Sequence, residues 1–157
     1  MHRKRVWRCL PVRFAATALE SGPSFTKDRR YSVQGEFGAI YLSASKDLAW
    51  QEWKQRGGED AEPAGCVEFE LTLDKLVDLT APSVQKRLGI KAGDLVKPRI
   101  SPEAYAVTQA IARRVYAQKL HGLLAPSIHD ANGEKPDWFN VVLYPANVMR
   151  RCVRQIA

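Results

Sequence analysis

A change of hydrophobic period within residues 39–58 constrains this chain more than any other feature. AIYLSA (39–44) is a short apolar run set off by Gly38 and by Ser43 and Ser45, the pattern of a buried strand. SKDLAWQEWKQRGG follows with helical spacing: Ser45 stands at the N-cap, Asp47 in the electropositive first turn, and Gly57-Gly58 at the stop. A strand feeding directly into an amphipathic helix must bury a face of each against the rest of the chain.

That helix carries an anomaly. At about 100° per residue, Leu48, Ala49, Glu52 and Trp53 share one arc, with Lys46, Gln51 and Lys54 largely elsewhere. Glu52 therefore lies within the apolar face. A carboxylate there costs on the order of several kcal/mol unless paired, so it has a fixed cationic or hydroxyl partner or is held for chemistry. A helix-edge glutamate that reaches water or an arginine is the other reading of the same wheel.

The 157 residues suffice for one domain with a real core, and the expected organisation is a single domain over 1–157. No window approaches the roughly 18 apolar residues of a membrane span. The basic start is interrupted by Arg8 and Arg13 before an export-type apolar run can form, so a cytoplasmic location without a membrane partner is expected. Cys9, Cys66 and Cys152 are widely spaced and odd in number, and are expected to be reduced thiols. His2, His121 and His129 form no zinc-type set, and no metal site is expected.

The net charge of +7 collects in HRKR (2–5), KDRR (27–30) and RRCVR (150–154). A nucleic-acid surface or a cleft for an anionic small molecule would use it. No helix-turn-helix, zinc finger or RNP motif accompanies these runs, but a basic nucleic-acid-binding module remains the reading from another class.

Along the chain, KRVWRCLPVRF alternates until Pro11 and predicts a first strand, with Val6, Arg8 and Leu10 on one side. Residues 14–20 predict a short helix, and the polar stretch 25–38 a loop over a site. CVEFELTL (66–73) alternates strictly and predicts a half-buried antiparallel-type strand. LVDLT reads as a brief strand, APSVQKRLGI as a short helix stopped by Gly89, and KAGDLVKPRI is ambiguous. Ser101-Pro102-Glu103 opens a helix expected to run to about Leu120 with Gly122 as its cap, burying Ala104, Val107, Ile111 and Val115. LLAPS and WFNVVLY are strand-like, and the last residues predict an edge strand. The fold class is α+β, with a mostly antiparallel sheet, split or sandwiched.

Arg8, Arg30, Tyr41, Glu52 and Ser127 stand out from this pass. WR (7–8), RRYSVQG with Arg30 and Gly35, AIYLS with Tyr41, AWQE with Glu52, and APS with Ser127 ahead of NVVLY give the chain its resemblance to the RES domain family. The resemblance spans nearly the whole chain and departs at Ser32, where asparagine is expected in many relatives, and in a short linker after Glu52. It implies an ADP-ribosyltransferase-like fold and an NAD-degrading toxin of a toxin–antitoxin pair. A cognate antitoxin protein would cover the cleft, and NAD would serve as substrate rather than cofactor. The acceptor of ADP-ribose would be inorganic phosphate or water, or a protein side chain in the alternative enzyme. Homo-oligomerisation stays open.

The residue types suit that chemistry. Breaking the nicotinamide–ribose bond expels a neutral base and leaves oxocarbenium-like charge on the sugar. Glu52 would stabilise that charge, Arg8 and Arg30 would hold the diphosphate through forked bonds, and the face of Tyr41 would stack on the cationic ring. Ser127 would orient Glu52 or a ribose hydroxyl. A Ser127–His129–Asp130 hydrolase triad lacks the flanking glycines of a nucleophile elbow. With no GxGxxG or P-loop, NAD would bind outside a Rossmann site.

Overall fold

The computed structural model describes residues 2–20, 28–55, 63–98, 101–148 and 150–156. Its centre is one seven-stranded sheet: β1 (His2–Pro11), β2 (Ile40–Ser43), β3 (Ala64–Leu73), β4 (Leu76–Asp78), β5 (Gly122–Pro126), β6 (Phe139–Leu143) and β7 (Val153–Gln155), in the order β4-β5-β6-β2-β1-β3-β7. Among the described strands β4 and β5 pair in parallel and the other neighbours antiparallel. The α+β class and the mostly antiparallel sheet expected from the sequence are both present, and the strands form one continuous sheet.

The period of two decides which residues meet. Val6, Leu10, Ile40, Leu42, Val67, Phe69, Leu71, Val141 and Leu143 form one apolar cluster. The alternate positions Leu123, Ala125, Val142 and Tyr144 join a second cluster with Tyr31, Phe37, Ala112 and Val115. The second half of β6 is buried on both faces, which is why WFNVVLY is apolar at every position but Asn140. Phe69, Val141 and Val142 are fully buried.

Among the described residues the helices that accompany the sheet are α1 (Lys46–Gln55), α2 (Pro82–Leu88), α3 (Ala92–Leu95) and α4 (Ala106–Ala117). Ser45 caps α1 as expected, its Oγ accepting the Leu48 N–H at 3.2 Å. The expected glycine stop of this helix at 57–58 lies outside the described residues, as do parts of the 25–38 loop and of the linker before β3.

Three local expectations change. The predicted helix at 14–20 is a 3-10 segment, Val12–Thr17. The helix after Ser101 begins as a 3-10 turn, Pro102–Tyr105, and α4 stops at Ala117, so Gly122 opens β5 instead of capping it. A side chain at Gly122 would run into the carbonyl of Val142 on β6, so close strand approach is what requires glycine there. The buried stripe of α4 is Thr108, Ala112 and Val115, with Val107 exposed. Thr108 can be buried because its hydroxyl donates to the Tyr105 carbonyl at 3.1 Å, so the inward stripe runs through it and not through Val107.

The cysteines also depart from expectation. Cys9 and Cys66 sit directly opposite in the β1–β3 ladder, Cα to Cα 4.1 Å, and are joined as a disulfide, while Cys152 is free. Their 57-residue separation gives no hint of this, because the register creates the proximity. Among the described residues, no helix is long and apolar enough to cross a membrane, and no cluster of potential metal ligands forms.

Candidate active site

A cleft of about 630 Å³ opens where the 28–34 loop, α1 and the β2–β6 pair meet. Its volume falls in the range of sites that take small organic ligands. Tyr41 pairs with Val142 and Ser43 with Asn140 across β2–β6, so Tyr41, Val142 and Asn140 share the face that floors the cleft. α1 supplies Glu52 and Gln55, one helical turn apart. Leu48 and Ala49 are buried beneath that helix, and Glu52 continues their stripe to where it emerges half-buried into the cleft. The sequence wheel and the fold agree on Glu52. Its place on the apolar arc is what aims it inward.

Arg30 and Tyr31 form the tip of a tight turn. Arg29 and Ser32 bridge each other, N–H to carbonyl at 3.1 and 3.4 Å, leaving the two intervening residues projecting toward the cleft. The Arg30 guanidinium donates through Nη2 to the Lys97 carbonyl at 2.7 Å and lies 4.9 Å from the centre of the Tyr105 ring. Its Nη1 is buried with no hydrogen-bond partner among the described residues. A buried guanidinium N–H without an acceptor is costly, and an acceptor placed in the cleft would relieve that cost.

Tyr41 is tied to the same turn. Its hydroxyl accepts the Tyr31 N–H at 3.0 Å and lies 3.1 Å from Ser32 Oγ, while the Tyr144 hydroxyl donates to the Tyr31 carbonyl at 3.0 Å. Burial pushes the Tyr31 and Tyr144 phenols well above the ordinary tyrosine range, so Tyr144 stays protonated and keeps donating at any physiological pH.

Ser127 is close but indirect. It is fully buried, its Oγ accepts the His129 N–H at 3.1 Å, and its neighbours Pro126, Ile128 and His129 line the cleft where Ser127 itself does not. The serine folds the chain after β5 so that His129 becomes part of the wall. Arg8 is not brought to this wall. Trp7 pairs with Ser43, so Trp7 shares the Tyr41 face while Arg8 shares the opposite one with Val6 and Leu10. Its guanidinium donates to the Ala18 carbonyl. Sequence alternation gives the strand correctly, but only the register with β2 tells which side faces the cleft.

Sequence reasoning missed Tyr105, His129 and Asn140, all of which line the cleft. Asn140 left a usable signal, being the one polar residue inside the apolar run 138–144. His129 was weighed only as a metal ligand and as part of a triad, and Tyr105 is brought in by folding over a distance no local pattern reports. Of the charge that suggested a basic surface, Arg5 and Arg154 pair with Glu68 and Glu70.

No curated protein sequence matches the chain. Among solved structures, a chain in the crystal structure of the M. tuberculosis MbcT–MbcA toxin–antitoxin complex is similar, with a TM-score of 0.75 at 16% identity. That match covers 99% of this chain and 82% of the other. At this identity it speaks for the fold. The model of the RES domain matches residues 5–156, nearly the entire sequence and every element around the cleft, and the chain therefore belongs to the RES domain family.

Proposed function

We propose that this RES domain cleaves the nicotinamide–ribose bond of NAD and passes ADP-ribose to phosphate or water, acting as the toxin of a toxin–antitoxin pair. The observation that carries this reading is the pairing, in one cleft, of an arginine edge lacking an acceptor with a carboxylate on a facing element, Arg30 Nη1 and Glu52. A dinucleotide brings both complements, anionic oxygens for the arginine and a sugar that gains positive charge as its base departs.

In this reading Arg30 grips a diphosphate oxygen and Tyr41 lies along the nicotinamide end. As the C1′–N bond breaks, its electron pair returns to the ring nitrogen and neutralises the pyridinium, so the base leaves neutral. The Glu52 carboxylate stabilises the oxocarbenium charge at C1′ without moving a proton. A phosphate or water oxygen then bonds to C1′, and water gives up a proton as it does so. Ser127 acts through the turn it caps, and Arg8 has no direct part. The complex named for the similar structure supports an antitoxin as the inhibitory partner here.

The test is product analysis by NMR or mass spectrometry after mixing purified protein with labelled NAD, with and without phosphate. Label in ADP-ribose 1″-phosphate or free ADP-ribose supports the proposal. Label in a protein band instead makes the enzyme a protein ADP-ribosyltransferase. Undiminished NAD, together with salt-sensitive binding to nucleic acid, overturns it in favour of a nucleic-acid module.

A further inference from the structure

Gln109 is half-buried on α4, outside the cleft lining, yet it reaches across about 80 residues of sequence to the turn that carries Arg30. Its Nε2 donates to the Arg29 carbonyl at 3.0 Å and to the Ser32 carbonyl at 3.3 Å. These are the two residues that close the turn, and each of their carbonyls also accepts the other's N–H. Both lone-pair directions of both oxygens are thus used, one by the turn itself and one by Gln109. Ser32 is fully buried, so no water stands ready to replace a lost donor there.

From this we infer that Gln109 is a positioning residue for Arg30: one amide group ties both ends of the turn and so helps set the direction in which the guanidinium leaves it, before Lys97 and Tyr105 take hold of the side chain. The other residues of the same α4 stripe act elsewhere. Arg113 forms a forked pair with Glu36 at 2.9 and 3.0 Å on the exposed rim, and Tyr116 stacks on Phe37 at 4.6 Å. Those contacts secure residues 33–37, whereas Gln109 reaches the backbone on both sides of Arg30. Arg30 has a long side chain, so a small change in the tilt of its turn becomes a large change at Nη1.

The inference rests on the NAD reading above, and steady-state kinetics of the full chain separate the two. Gln109→Met keeps the side-chain volume and removes the donors. It is expected to raise KM for NAD about tenfold and leave kcat within about threefold, because a diphosphate grip serves ground and transition states alike. A merely structural defect lowers the active fraction, and so kcat and the melting temperature, without moving KM. Placed on an Arg30→Lys background, the same substitution should change KM less than twofold, since it acts through the missing guanidinium. An unchanged KM in Gln109→Met, or the same tenfold rise in both backgrounds, overturns the inference while leaving NAD cleavage intact. If Arg30→Lys leaves KM unmoved, or the wild type does not consume NAD, the underlying reading fails and this one with it. Should the methionine variant not fold, Gln109→Leu makes the same comparison, being somewhat smaller, uncharged and likewise without donors.

Discussion

The phenol oxygen of Tyr41 accepts the backbone N–H of Tyr31 at 3.0 Å, tying the strand that floors the cleft to the turn that carries Arg30. A tyrosine in a buried strand can be mere core, but this one has its hydroxyl in a three-way contact with Tyr31 and Ser32. Tyr41→Phe separates the two duties of the residue, since it keeps the ring face and deletes the oxygen. Leaving the Tyr31 amide unsatisfied should cost about 1–2 kcal/mol in denaturant unfolding. If the turn is held this way, NAD consumption falls about tenfold, one decade per 1.4 kcal/mol of lost positioning. Full activity in the phenylalanine variant would mean that only the ring face counts.

Glu52→Gln preserves shape and removes the charge that the departing base leaves unopposed on the sugar. Nicotinamide release followed by NMR should drop by about 100-fold or more, the scale seen when one electrostatic stabiliser is deleted. The melting temperature should stay within a few degrees, because Glu52 sits at the half-buried end of its helix stripe and not under it. A glutamine variant as active as the wild type would remove the carboxylate from the mechanism.

Much of this was legible in the sequence where local pattern and burial coincide. The alternation in CVEFELTL became β3 with Val67, Phe69, Leu71 and Leu73 buried in turn; the serine before the helix marked the Ser45 cap, and helical spacing put Glu52 on the apolar arc while leaving a helix-edge glutamate open as the other reading. What failed depends on long-range register. Arg8 and Trp7 differ only in which face of β1 meets Ser43, the Cys9–Cys66 pair exists only because β1 and β3 align residue for residue, and the two acceptors of Gln109 lie in a different part of the chain. Gly122 was misread for another reason. A glycine after a helical run signals a cap, and nothing local distinguishes that from a strand residue pressed against its neighbour.

Gly122→Ala tests that second meaning. The added Cβ would meet the Val142 carbonyl, a backbone atom fixed in the β5–β6 ladder that cannot rotate away as a side-chain end could. Relief requires the strands to part where Leu123 and Val142, both fully buried, pack together. Overpacking of this kind costs about 1–3 kcal/mol, and backbone involvement puts the expected loss at the upper end. Equilibrium urea unfolding reads it directly, and a loss below about 0.5 kcal/mol would show that the strands yield without cost.

The Glu36–Arg113 pair predicts a pH signature at the rim of the same loop. The forked hydrogen bond from Arg113 holds the Glu36 carboxyl below the ordinary glutamate range, and the same contact raises Arg113. A folded-state value depressed below the unfolded one gives stability that is present above the unfolded value and lost as pH falls through the folded one. The Arg113 side contributes below its own unfolded value and is lost only at strongly alkaline pH. Wild type should therefore melt above Glu36→Gln at neutral pH, and the difference should close as acid titrates Glu36 through its lowered value. Both groups are solvent-exposed, so the margin is small and should shrink further when salt is raised to molar concentration. A margin that persists in strong acid would assign the role of Glu36 to something other than its charge.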